Sequence, residues 1–265
     1  MHYNQILAYL QVFFLRQNCP KRFPTARYIR DEIASIKYHV YRHKGLGRLR
    51  KGNIQYKCER MARNGISHEG LWQQLIRLNR QETAKRAKCE YISNPESYIV
   101  TLLNSQYVVN LEDRKIFSSR NCSQSAEFLE QLCILAYLIN AQDLPPANKL
   151  VKPETLPGGQ FFFRGVHCLP TEKLQKAFGQ HPERLSRIAE RFGAKNCEFG
   201  DDSIQLYILP RIPLTVVVWG SDDQFDARAS ILFDQTASAH LPLDALLAAV
   251  NLAVDTLIET CKQSG

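Results

Sequence analysis

The run QSAEFLEQLCILAYLIN (124–140) constrains this chain more than any other. It is helical in length and strongly apolar, and a helix of that kind belongs in the middle of a domain. It is too short for a membrane span, which needs about 20 consecutive apolar residues, and no other stretch of the 265-residue chain reaches that length. Everything else is arranged around this central helix. A helix is predicted before it from about Leu71 to Lys88, with Leu71, Leu75, Leu78, Ala84 and Ala87 facing inward. Ser97 to Leu103, Gln106 to Asn110 and Lys115 to Phe117 read as strands, separated by hairpin turns at Asn104-Ser105 and Glu112-Asp113. After it, a proline-rich connection ends in Pro157-Gly158-Gly159, and helices near 171–178 and 182–192 each end in glycine. Strands at Ser203–Leu209, Leu214–Trp219 and Ala227–Phe233 follow, then a closing helix over about 242–262. The order helix, meander, helix, hairpin, helix predicts an α+β domain, an antiparallel sheet packed with helices.

Charge divides the chain in two. The net charge is +8, yet residues 1–63 hold 14 Lys/Arg against 3 Asp/Glu, a balance of +11. The remaining residues hold 20 against 23, a balance of −3. A basic excess confined to one end points to an anionic partner for that end, nucleic acid above all. The expected domains are therefore 1–68, basic and helical, and 69–265, α+β. The eight cysteines form no C-x-x-C pair and no Cys/His cluster, which excludes a zinc finger or a cysteine-ligated iron–sulfur centre. Ile6 to Leu15 lacks the preceding basic region and cleavage site of a signal peptide. The expectation is a cytoplasmic protein with free thiols and no membrane partner.

Within the basic segment, residues 4–16 read as a helix that Asn18-Cys19-Pro20 ends. Thr25 caps a second helix with Ile29, Ile33 and Ile36 as its apolar stripe. Asn53 caps a third, with Ile54, Cys58 and Met61 on one face, stopping at Asn64-Gly65. FPTARYIRDEIA (23–34) and NIQYKCERMARNGIS (53–67) resemble the supporting and recognition helices of the winged helix-turn-helix of LexA-like repressors. The resemblance implies that Gln55, Tyr56, Lys57, Arg60 and Arg63 face DNA. Lysine and arginine suit phosphates and guanine edges, and glutamine suits adenine. Arg48, Arg50 and Lys51 in the glycine-punctuated connection RHKGLGRLRKG (42–52) would add sequence-independent affinity. A translation start at Met61, the other methionine besides Met1, would make residues 1–60 an extension. Helical periodicity and capping over 6–40 argue instead for a genuine domain.

From about Leu71 onward the chain resembles the uncharacterised prokaryotic family called domain of unknown function 3786. The residues that carry this are PGGQFFFRGVHCLPTEKL (157–174), Gly200-Asp201, Leu209-Pro210-Arg211-Ile212-Pro213, and Trp219 with Asp222, Asp223 and Phe225. Leu232-Phe233-Asp234 and His240-Leu241-Pro242-Leu243-Asp244 complete the series. The resemblance implies a fold and no reaction. Members tend to occur in anaerobes and some carry iron–sulfur cysteine clusters, which this chain does not have.

The polar residues to weigh in this domain are Arg164, His167, Asp201, Asp202, Arg211, Asp222, Asp223, Asp234 and His240. Asp201, Asp222 and Asp234 flank predicted strands and could form a corner for Mg²⁺ or Ca²⁺. Aspartates at strand ends also cap turns and helices, and that is the preferred reading. His167-Cys168 offers an imidazole and a thiol, but adjacent residues rarely face each other, so no nucleophile is expected. Gly158-Gly159 lacks the phosphate-loop pattern. No catalytic constellation is found; metal and cofactor are left unknown. Two roles follow: a DNA-binding regulator whose α+β domain senses a small ligand or mediates dimerisation, or a non-enzymatic accessory or ligand-binding protein for a metallocofactor enzyme in anaerobic metabolism. An enzyme using the aspartate corner with a divalent metal is the third.

Overall fold

A computed structural model describes residues 68–119 and 121–264. The helices expected within 1–67, and the DNA-facing residues Arg48, Arg50, Lys51, Gln55, Tyr56, Lys57, Arg60 and Arg63, lie outside the described residues. No helix among the described residues is long and apolar enough to cross a membrane.

The helix expected over 71–88 is two helices, α1 (Glu69–Ile76) and α2 (Arg80–Ala87). The break is local chemistry. Asn79 is extended and its side chain accepts from the Glu82 amide (3.0 Å), capping α2. The Arg80 guanidinium donates back to the carbonyls of Ile76 (2.7 Å) and Leu78 (2.9 Å), occupying acceptors that the end of α1 leaves open.

Five strands then form an antiparallel meander: β1 (Glu90–Ser93), β2 (Glu96–Leu102), β3 (Ser105–Asn110), β4 (Lys115–Ser118) and β5 (Asn121–Ser125). Leu103 and Asn104 both have positive φ, the two-residue turn whose twist matches its flanking strands. Tyr98, Val100, Leu102, Tyr107, Val109 and Ile116 alternate onto the buried face. The central helix α3 spans Phe128–Asn140 and starts later than its apolar pattern because the chain before it pairs as β5. The Glu130 carboxylate closes its first turn by accepting from the Glu127 amide (2.7 Å). Cys133 to Leu138 are all buried, as the pattern requires.

The later strands build a second antiparallel sheet instead of extending the first. β6 (Leu150–Val151), β7 (Lys195–Asn196), β8 (Asp202–Leu209), β9 (Ile212–Trp219) and β10 (Arg228–Asp234) stand in the order β6-β10-β9-β8-β7. This differs from the single sheet expected. α3 and the connection after it separate β5 from β6, and pairing partners follow from packing, which strand patterns do not encode. The sheets meet where the Leu103 amide donates to the Ile208 carbonyl (2.9 Å). β9 is buried on both faces from Ile212 to Val218, which explains its unbroken apolar run. Three more helices complete this half: α5 (Thr171–Phe178), α6 (Arg184–Ala189) and the 21-residue α8 (Leu243–Gln263). Two short ones, α4 (Gly159–Phe162) and α7 (Ala237–His240), lie between them. α8 packs on α3, α5 and α6, so the two helices most legible in the sequence form the common core.

Candidate functional site

The structure distributes the predicted polar residues over three places. The first is the β8–β9 turn and the end of β10. Asp234 is only 1% exposed, and its carboxylate accepts from the amides of Ala147 (3.0 Å), Lys149 (3.3 Å) and Thr236 (2.9 Å) and from the Thr236 hydroxyl (2.6 Å). Burial pushes this carboxyl upward, but the hydrogen bonds outweigh it and hold it below the usual aspartate range. Asp234 thus ties the 141–149 connection to β10.

Arg211 sits in the tight turn between β8 and β9. Its Nε donates to the Arg86 carbonyl (2.7 Å), and its Nη2 donates to the Lys85 carbonyl (3.3 Å) and to Asp143 Oδ1 (2.6 Å). Lys85 pairs with the other oxygen of Asp143 at 3.1 Å. A guanidinium on the last carbonyls of α2 satisfies open acceptors and opposes the negative end of the helix dipole. His240 is fully buried beside these groups. Its Nδ1 accepts from the Gln142 amide (3.4 Å), so Nε2 carries the proton, buried and without a partner among the described residues. Burial, reinforced by the Arg211 charge and opposed by Asp234, lowers its pKa to about 4. This cluster joins α2, the connection after α3, the β8–β9 turn and the chain around β10. Apart from His240 Nε2, its polar groups bond within the protein, and it works as a staple.

The second place is the opposite end of the same sheet. Asp202 stands across from Val218 in the β8–β9 ladder, whereas Asp234 follows Phe233, which stands across from Leu214 near the start of β9. Asp201, Asp222 and Asp234 therefore do not share one corner. The cation corner weighed beside the preferred capping reading is not assembled from these three residues, because antiparallel strands carry them to opposite ends. No group of three or more His, Cys, Asp or Glu that could hold a metal occurs among the described residues. Asp201 Oδ2 accepts from the Gly220 amide (2.7 Å), and Asp202 Oδ2 from the Ser186 amide in α6 (2.9 Å). Asp222 Oδ1 accepts from the amides of Gln224 (2.8 Å) and Phe225 (2.7 Å), a turn made by the side chain itself. Asp223 is exposed.

The third place is the segment 157–168 against the start of α8. Gly159 has no room for a side chain, since a Cβ would sit 2.0 Å from the Pro153 carbonyl oxygen. Phe163 is buried against Phe233 with ring centroids 5.9 Å apart. The His167 ring lies flat on Phe162 at 4.6 Å. Burial lowers the His167 pKa, opposed by the Phe162 carbonyl and by Asp244. Asp244, in the first turn of α8, accepts from the Ala245 amide (2.8 Å); burial raises its pKa against that bond, and His167 opposes the rise. Arg164 and Cys168 are exposed beside them, as are Phe161 and Val166. Sequence reasoning named Asp244 only within the family series and not as a site residue, although an aspartate two residues after Pro242 at the head of a long helix was a visible signal. It also passed over Asp143, whose partners come from distant parts of the chain.

These features define a class: an α+β domain of two antiparallel sheets around two apolar helices, with a glycine-anchored aromatic segment over the head of the longer helix. The chain belongs to the family described as Domain of unknown function (DUF3786), whose profile matches residues 79–256. No curated protein and no solved structure matches it significantly.

Proposed function

We propose that this chain is a two-part DNA-binding regulator: residues 1–68 bind duplex DNA, and the α+β domain senses a ligand or mediates dimerisation. The observation that carries this reading is the charge division, +11 over residues 1–63 and −3 over the rest. A polycation bound to duplex DNA releases condensed counterions, and an acidic attached domain gains nothing from the phosphates. The sensing role is supported by the segment 157–168, where exposed Arg164 and Cys168 and half-buried His167 stand beside the Phe162 and Phe163 rings. The test is fluorescence anisotropy of the full chain on random duplex DNA at about 50 mM and about 200 mM salt. Micromolar binding that weakens steeply with salt, and weakens again in Arg60→Ala/Arg63→Ala, is the expected result. Equal binding by that variant overturns the recognition-helix assignment, and no binding at low salt overturns the reading.

A second reading, a non-enzymatic accessory protein for a metallocofactor enzyme, is favoured by the exposed Phe161 and Val166, apolar side chains of the kind that anchor protein partners. It requires co-purification with such an enzyme and no affinity for DNA.

A further inference from the structure

We propose that the end of the second sheet where β8 begins and β9 ends is a docking surface for a lysine- and arginine-rich peptide segment of a partner protein. Three aromatic rings from separate stretches face solvent there: Phe199 (47% exposed), Trp219 (38%) and Phe225 (61%). Each is placed by a built turn. Gly200, at φ +60, brings the turn before β8 so close to β9 that a Cβ would meet the Val218 carbonyl at 2.7 Å and the Trp219 ring at 3.3 Å. Asp201 clasps the same turn to β9, its amide on the Val218 carbonyl (3.0 Å) and its carboxylate on the Gly220 amide (2.7 Å). The Asp222 carboxylate holds the loop that presents Phe225.

The two stretches that carry the rings hold six carboxylates, Glu198, Asp201, Asp202, Asp222, Asp223 and Asp226, of which all but Asp202 are exposed. Neither 198–208 nor 219–227 contains a lysine or arginine; Arg228, across the ladder from Trp219, is the first cation after them. Large exposed apolar groups mark interaction sites, and an aromatic face flanked by carboxylates suits an ammonium or guanidinium with its aliphatic stem. The charge sign disfavours nucleic acid. The spread of the carboxylates, which form no three-residue metal group, disfavours a single small cation. A peptide with several positive side chains along its backbone matches the sign of the charge and its distribution over two separate stretches. This inference is independent of the DNA-binding reading.

The test uses the full chain and a labelled twelve-residue peptide rich in Lys, Arg and Leu, followed by anisotropy at low salt. Asp223→Asn/Asp226→Asn and Phe225→Ser alter exposed side chains and should melt like the parent. Each is expected to weaken binding about tenfold or more. Glu112→Gln/Asp113→Asn, an equal charge change in the β3–β4 turn of the first sheet, should bind as the parent does. No binding by the parent, or equal losses in all three variants, overturns the proposal; the second result would mean diffuse electrostatic attraction with no surface.

Discussion

The two ends of the second sheet are built from the same residue types and do opposite things. At the Asp234 end, carboxylate, guanidinium and imidazole are buried, and Asp234 accepts four hydrogen bonds from the surrounding chain. At the Asp201–Asp222 end the two named carboxylates are exposed, Asp201 accepting from the Gly220 amide at the end of β9 and Asp222 from two amides of its own turn. Aspartate identity says nothing about which case applies. What differs is how much backbone converges on one carboxylate: the 141–149 connection and the turn after β10 bring three amides onto Asp234, whereas one amide reaches Asp201 and one, from α6, reaches Asp202.

The largest expected effect comes from removing the acceptor at the buried end. Asp234→Ala leaves the amides of Ala147, Lys149 and Thr236 without their partner and should cost about 3 to 4 kcal/mol in denaturant unfolding. A cost no greater than that of a surface aspartate would break the comparison.

His240 gives the next effect, through pH. Its pKa is near 4 in the fold against 6.5 for the free side chain, so the folded protein binds fewer protons between those values than the unfolded chain. Its contribution to stability is complete above about pH 6.5 and falls as pH drops toward 4, the loss reaching on the order of 2 kcal/mol by about pH 5. Asp234, held below the ordinary aspartate value of 3.8, loses its contribution only at lower pH, so the two are separable. Denaturant titrations from neutral to mildly acidic pH should show the loss in the parent and less of it in His240→Gln. Equal slopes would mean that His240 is not held neutral.

The smallest effect belongs to the open end. Asp223→Asn should leave the melting temperature within about 2 °C of the parent, because the side chain is exposed and the change removes no packing. A larger shift would show that this end, too, is structural.

Much of the fold was legible. The apolar 124–140 run, the closing helix and the long strands carry their signal in local periodicity, and the structure places them within a few residues of expectation. The short strands β1, β5, β6 and β7 were not legible, being too brief for alternation to register. The break at Asn79 was hidden because inward-facing residues continue on both sides of it. Of the site, Arg164, His167, Arg211 and His240 were visible as polar residues. Asp143, the partner of Arg211, comes from elsewhere in the chain, and the separation of the aspartates was not legible. That separation depends on strand direction and register, which link residues far apart in sequence.

By itself the sequence determined the mixed helix-and-strand content, the two apolar helices of the core, the family and the concentration of positive charge in residues 1–63. These follow from composition and short-range periodicity, properties of a chain segment considered alone. Only the tertiary structure decided that there are two sheets, that Asp234 and Asp222 stand at opposite ends of one of them, that Arg211 caps α2, and that the turns bearing Phe199, Trp219 and Phe225 lie at one end of that sheet. Each of these depends on contacts between distant segments, and the energies that set them exist only once the chain has closed on itself.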